Sequence, residues 1–130
     1  MQQVKTSYTP KKSTLETDRA ELKIGPKRGE FSPYNLLLGS LSACFHATLS
    51  DIFIKRKVEL PPIDIIVTGD KRKEVPTTLE WVNLDITVHA KYDEAEQGRF
   101  LRSIELAAKY CSIHETISKV AKMSHEVHFK

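Results

Sequence analysis

Two residues of this chain have side chains suited to nucleophilic or redox chemistry, Cys44 and Cys111. Cys44 lies in "SPYNLLLGSLSACFHATLS", residues 32 to 50, a stretch without a charged side chain. A lone cysteine in an apolar helix is commonly a small buried hydrophobe. Cys111 directly precedes "SIHE", which matches the S-x-x-E capping box with Ser112 as N-cap and Glu115 at the third helical position. A sulfur just outside a helix N-terminus meets the positive end of the dipole, which favours thiolate over thiol. Two cysteines without a basic n-region and apolar leader argue for a reducing compartment, the cytoplasm. There a cysteine pair is more often catalytic or metal-binding than a staple.

The histidines offer less. His46 stands two positions from Cys44, about 200° around a helix, and is a poor base for that sulfur. His114 could tune Cys111 but is read as packing. His125 and His128 fall on opposite faces of a strand, and no C-x-x-C or H-x-x-x-H spacing supports a metal site. Neither a metal nor another cofactor is expected.

The elements that must position the cysteines follow from pattern. Short strands are expected over roughly 2 to 9, 13 to 18 and 19 to 24, with turns at Pro10 to Ser13 and around Gly25, Pro26 and Gly29. Ser32 followed by Pro33 is a helix start, and the helix runs to about Arg56, where cations suit its C-terminal dipole. Pro61 and Pro62 interrupt the chain. "IDIIVTG" then reads as a buried strand, "DKRKEVPT" as an exposed connection, and "LEWVNLDITVHAKY" as a strand with Leu84, Ile86, Val88 and Ala90 on one face. A second helix begins after Asp93 and puts Leu101, Ile104, Ala108 and Cys111 on its apolar edge. "SIHETISKVAKM" reads as a further short helix and "HEVHFK" as a closing strand.

At 130 residues, 40% hydrophobic and 28% charged, the chain has the size and composition of one globular domain. Its 20 basic and 17 acidic residues leave a net charge of +3. The basic clusters Lys11-Lys12, Lys27-Arg28, Lys55-Arg56-Lys57 and Lys71-Arg72-Lys73 are scattered and lack interleaved aromatics. They read as solvated surface, so no nucleic-acid partner is expected. Residues 31 to 50 contain Pro33, Asn35, Gly39, His46 and several serines, and read as too polar for a membrane span. A helix that is apolar all round must be covered on every side, which a single small sheet cannot do. A second copy of the chain is the simplest cover, so a homodimer is expected.

"SPYNLLLGSLSACF", followed much later by "AAKYCSIHETI" and a final strand, resembles the OsmC/Ohr family of organic hydroperoxide reductases. Members carry a Pro-x-x-(L)LL-x-x-x-x-A-C-like helix and a later "CPVH"-like turn. The resemblance implies an α+β fold, an intertwined homodimer whose antiparallel sheets wrap central helices, with active sites at the subunit interface. It implies that Cys44 attacks an organic, possibly fatty-acid, hydroperoxide and becomes a sulfenic acid. Cys111 would then resolve it to a disulfide that an external dithiol, typically lipoyl-linked, reduces. Family members also place an Arg on the reactive thiolate and a Glu at the start of the first helix to hold that Arg. This chain has Tyr34 and Asn35 where the acid is expected, and Arg28, in the loop before the helix, is taken over Arg19 as the candidate guanidinium. The usual proline after the second cysteine is Ser112. The missing acid supports a different class of function, a fold that holds a small hydrophobic ligand or senses thiol oxidation without efficient peroxide chemistry.

Overall fold

The computed structural model describes all 130 residues, which divide into two compact units, Met1–Leu37 and Leu38–Lys130. The first unit is a meander of β1 (Lys5–Tyr8), β2 (Ser13–Glu16) and β3 (Glu21–Lys23), antiparallel throughout in the order β1-β2-β3. Its turns are closed by side chains: the Thr9 hydroxyl accepts from the Lys11 and Lys12 N–H groups, and the Thr17 hydroxyl from those of Arg19 and Ala20.

Helix α1 (Pro33–Lys55) starts with a reciprocal cap. The Ser32 hydroxyl accepts from the Asn35 N–H at 3.1 Å, and Asn35 Oδ1 accepts from the Ser32 N–H at 3.1 Å. The helix stops through paired bonds from Lys57 N–H to the Ile54 carbonyl and Val58 N–H to the Phe53 carbonyl, with Lys57 at φ 56°. This is the left-handed stop that glycine usually fills.

In the second unit, β4 (Ile63–Lys71), β5 (Leu79–Val88) and β6 (Lys122–Phe129) form a sheet in the order β4-β5-β6. β4 runs antiparallel to β5, whereas β6 runs parallel to it. The expectation of purely antiparallel sheets is therefore corrected. α2 (Glu94–Tyr110) and α3 (Ser112–Ser118) form a crossover that returns the chain to the same end of the sheet, so β6 must enter in the direction of β5. The last helix is also shorter than its sequence pattern suggests, and β6 begins at Lys122 rather than at His125.

Period two on the central strand fills the core: Val82, Leu84, Ile86 and Val88 are wholly buried. Onto that layer come Leu41, Phe45, Leu49 and Phe53 of α1, spaced by four, and Phe100, Ile104 and Ala107 of α2. Ile104 and Cys111 are buried as expected, but Phe100 and Ala107 take the places expected of Leu101 and Ala108, and Leu101 remains 42% exposed. Phe100 joins the layers, its ring 5.5 Å from that of Phe53 and 5.6 Å from that of Phe129. The buried Ser103 hydroxyl ties α1 to α2, accepting from Arg56 Nη1 at 2.6 Å and donating to the Arg99 carbonyl at 3.2 Å.

The segment read as too polar for a membrane span lies in a helix that is long and apolar enough to cross one, with a mean hydropathy of 1.4. The core helix of a globular protein meets the same criterion, and α1 carries Asp51 and Lys55 in its last two turns.

Candidate active site

The cysteines meet where α1 passes the junction of α2 and α3. Cys44 sits on the flank of the α1 core stripe, beside Phe45, and is half-buried. Cys111 is fully buried and belongs to two helices at once: it closes α2, its N–H donating to the Ala107 carbonyl, and opens α3. Its extended conformation, φ −72° and ψ 114°, makes the turn between them in a single residue.

The sequence places the cap of α3 at Ser112, and the structure corrects this. Cys111 is the N-cap, and its Sγ accepts from the His114 N–H at 3.4 Å. Ser112 is therefore the first helical residue, and the Glu115 carboxylate pairs with Lys119 at 2.8 Å rather than reaching back to a cap. The standard template missed the arrangement because it assumes a hydroxyl, amide or carboxylate at the cap. With no residue to spare between α2 and α3, the sulfur takes that place.

The two thiols are driven in opposite directions. Cys44 is held below its ordinary value of 9.0, chiefly by the backbone N–H of Ile113. Burial opposes this, while the Cys111 thiol, the Ser112 hydroxyl and the Ser112 N–H add to it. The Ser112 hydroxyl oxygen lies 3.9 Å from Cys44 Sγ. Cys111 is pushed above 9.0, first by burial, against the His114 N–H, and further by its contact with Cys44. The site therefore eases ionisation of Cys44 and opposes that of Cys111, the reverse of what a cap position alone suggests for Cys111. The leading contributions at Cys44 come from N–H, O–H and S–H donors and from burial.

Only the thiolate alkylates, so the lower of two thiol pKa values gives the lower midpoint in a pH–rate profile. Alkylation of Cys44 by iodoacetamide is expected to reach half its maximal rate below pH 9.0 and that of Cys111 above it. Mass-spectrometric site assignment across a pH series checks this, and midpoints in the opposite order would contradict it.

His114 packs rather than poised for protonation: burial lowers its pKa, with His125 adding, and its ring centroid lies 6.5 Å from that of Phe45. His46 is exposed on α1. His125 and His128 do point to opposite faces of β6, the first pairing with Glu105 at 3.4 Å and the second with Asp85 at 3.0 Å. Arg28 lies in an exposed loop of the N-terminal unit, whereas both cysteines belong to the C-terminal unit. Asn35, at the position where an acid was expected, is committed to the α1 cap.

The model of the family described as OsmC-like protein matches residues 25–126. Protein YhfA of Escherichia coli K12 is 23% identical over 95 residues, which span 72% of this chain and 69% of that protein. Among solved structures, an OsmC-like protein from Mycoplasma pneumoniae superposes with a TM-score of 0.82 at 23% identity, covering 98% of this chain and 95% of the other. The organic hydroperoxide resistance protein OhrB of Bacillus subtilis superposes with a TM-score of 0.69 at 14% identity, covering 96% and 97%.

Proposed function

The chain belongs to the OsmC-like protein family, and from that premise we propose that it is a thiol-dependent peroxidase for organic hydroperoxides, with Cys44 as the attacking and Cys111 as the resolving residue. The observation that carries this reading is that two sulfurs 67 residues apart in sequence stand side by side, the ionisation of one eased by its neighbours and that of the other opposed by burial. In the first step the Cys44 thiolate attacks the distal peroxide oxygen. The S–O bond forms as the O–O bond breaks, the alkoxide leaves and takes a proton from water, and Cys44 becomes a sulfenic acid. In the second step the Cys111 sulfur attacks Cys44 Sγ, the hydroxyl departs as water with the Cys111 proton, and a disulfide results. An external dithiol reduces that disulfide by exchange through a mixed disulfide. No step draws on Arg28.

The roles follow from the environments. The nucleophile has to ionise readily and be reachable, and Cys44 is half-buried with its pKa held below 9.0. The resolving thiol is needed only once a sulfenic acid has formed, and burial of Cys111 disfavours its ionisation before then. An organic rather than an inorganic peroxide is the substrate that the family implies, and no charged side chain interrupts α1 before Asp51 to favour a polar one. In a coupled assay, cumene hydroperoxide should be consumed catalytically with dihydrolipoamide as reductant. Failure of any dithiol to sustain turnover would remove the peroxidase assignment.

The working unit is a homodimer in this reading. Only Leu41, Phe45, Leu49 and Phe53 of α1 are buried within the chain, although no charge interrupts the helix before Asp51. Leu37 and Ile54 remain 38% and 69% exposed. The N-terminal unit leaves an apolar hollow of about 380 Å³ lined by Tyr8, Leu15, Ile24, Pro33 and Leu36. Uncovered apolar surface on this scale calls for a partner, and the two-fold arrangement of identical chains is the commonest solution. Multi-angle light scattering at micromolar concentration is expected to give twice the 14.8 kDa chain mass; a monodisperse folded monomer would overturn the dimer.

A further inference from the structure

Helix α3 begins with a hydroxyl that the helix itself does not use. Because Cys111 caps α3 with its sulfur, Ser112 occupies the first helical position, and only its backbone carbonyl serves the helix, accepting from the Thr116 hydroxyl at 2.8 Å. The Ser112 hydroxyl instead faces Cys44, at 3.9 Å from Sγ, and the residue is exposed. That separation is long for a hydroxyl resting directly on sulfur. It is well suited to an oxygen held between the two. A covalent S–O bond is shorter than the roughly 2.05 Å of an S–S bond, and O–H···O hydrogen bonds run about 2.7 Å. An oxygen attached to Cys44 Sγ therefore completes a bent S–O···Oγ bridge across the observed gap.

Resting on the peroxidase reading, we propose that Ser112 is a catalytic residue of this site: its hydroxyl donates a hydrogen bond to the oxygen being transferred to Cys44 and then to the sulfenic acid oxygen that results. Ser112 keeps its own proton throughout. The Cys44 electron pair forms the S–O bond, the O–O pair leaves on the alkoxide, and water protonates that alkoxide. The hydrogen bond strengthens as the S–O bond forms, because before transfer the hydroxyl has only the more distant sulfur to meet. An interaction made mainly in the transition state and product accelerates the step without tightening substrate binding. The chain supplies this donor from the residue next to the resolving cysteine, so the group that steadies the sulfenic acid and the group that consumes it arrive together.

The test compares Ser112→Ala and Ser112→Thr with the parent, each fully reduced. Loss of the Cys44 thiol is followed with cumene hydroperoxide and, in parallel, with iodoacetamide at a pH where the alkylation rate has reached its plateau. Alkylation reads the nucleophile without oxygen transfer. Ser112→Ala is expected to slow the peroxide reaction about tenfold, the scale of one hydrogen bond to a developing charge, while the plateau alkylation rate stays at the parent value. Ser112→Thr, which keeps the hydroxyl, should restore most of the peroxide rate. Equal peroxide rates in parent and Ser112→Ala would end this role while leaving the peroxidase reading intact, as would a parallel fall in both reactions. A parent that alkylates normally but is inert to peroxide would end the peroxidase reading and this role with it.

Discussion

Cys44→Ser is expected to lower dithiol-supported consumption of cumene hydroperoxide by roughly a thousandfold or more, because a hydroxyl cannot replace a thiolate nucleophile at neutral pH. Cys111→Ser should behave differently. Its Cys44 remains half-buried beside the Ser112 and Ile113 donors, so one equivalent of peroxide is still consumed quickly. The cycle then stops at the sulfenic acid, since no second thiol stands next to it, and further peroxide drives Cys44 to sulfinic acid. Single-turnover peroxide consumption with intact-mass analysis separates the two variants: the first gains no oxygen at position 44, and the second gains one and then two. Full activity in Cys44→Ser would reverse the assigned roles. Sustained turnover in Cys111→Ser would mean that an outside thiol resolves Cys44 directly.

Phe45→Ala is expected to destabilise the fold by about 3–5 kcal/mol, the usual loss for a wholly buried phenylalanine whose neighbours relax only in part. Phe45 is completely buried, one turn from Leu41 and one from Leu49 on α1, and its ring also faces His114 of α3. The cavity therefore opens next to Cys44 in the chain and against α3 at His114. With urea m-values of 1–3 kcal/mol/M for domains of this size, the midpoint should fall by about 2 M at fixed protein concentration. The peroxide rate of the surviving folded protein should fall as well, because α3 loses the contact that seats it. A midpoint shift of a few tenths molar would mean that Phe45 is not the packed centre of α1.

The parts of the fold that announce themselves in the sequence are those fixed by local chemistry. Ser32 and Pro33 mark the start of α1, Asp93 with Glu96 caps α2 as a full capping box, and alternation along Leu84, Ile86 and Val88 marks the buried face of β5. What stayed hidden depends on tertiary choices. The parallel entry of β6 follows from where the α2–α3 crossover delivers the chain, which no window of sequence contains. The departure at the start of α2 arises because Phe100, not Leu101, packs against both Phe53 and Phe129. Cys44 and Cys111 could be named as candidates from the sequence, but the opposite pull of their surroundings could not. That opposition depends on the burial of Cys111 and on the Ile113 N–H reaching Cys44, both set by how α1 meets the α2–α3 junction.

The central claim is that Cys44 and Cys111 act together on organic peroxides. It is tested most directly by counting free thiols per chain in fully reduced protein, quenched and then denatured, before and after one equivalent of cumene hydroperoxide, with hydrogen peroxide in parallel. Rapid loss of both thiols with the organic peroxide and slow loss with hydrogen peroxide is the predicted result. Retention of both thiols over minutes of exposure would contradict it and would leave a fold that keeps its cysteine pair for ligand binding rather than for peroxide reduction.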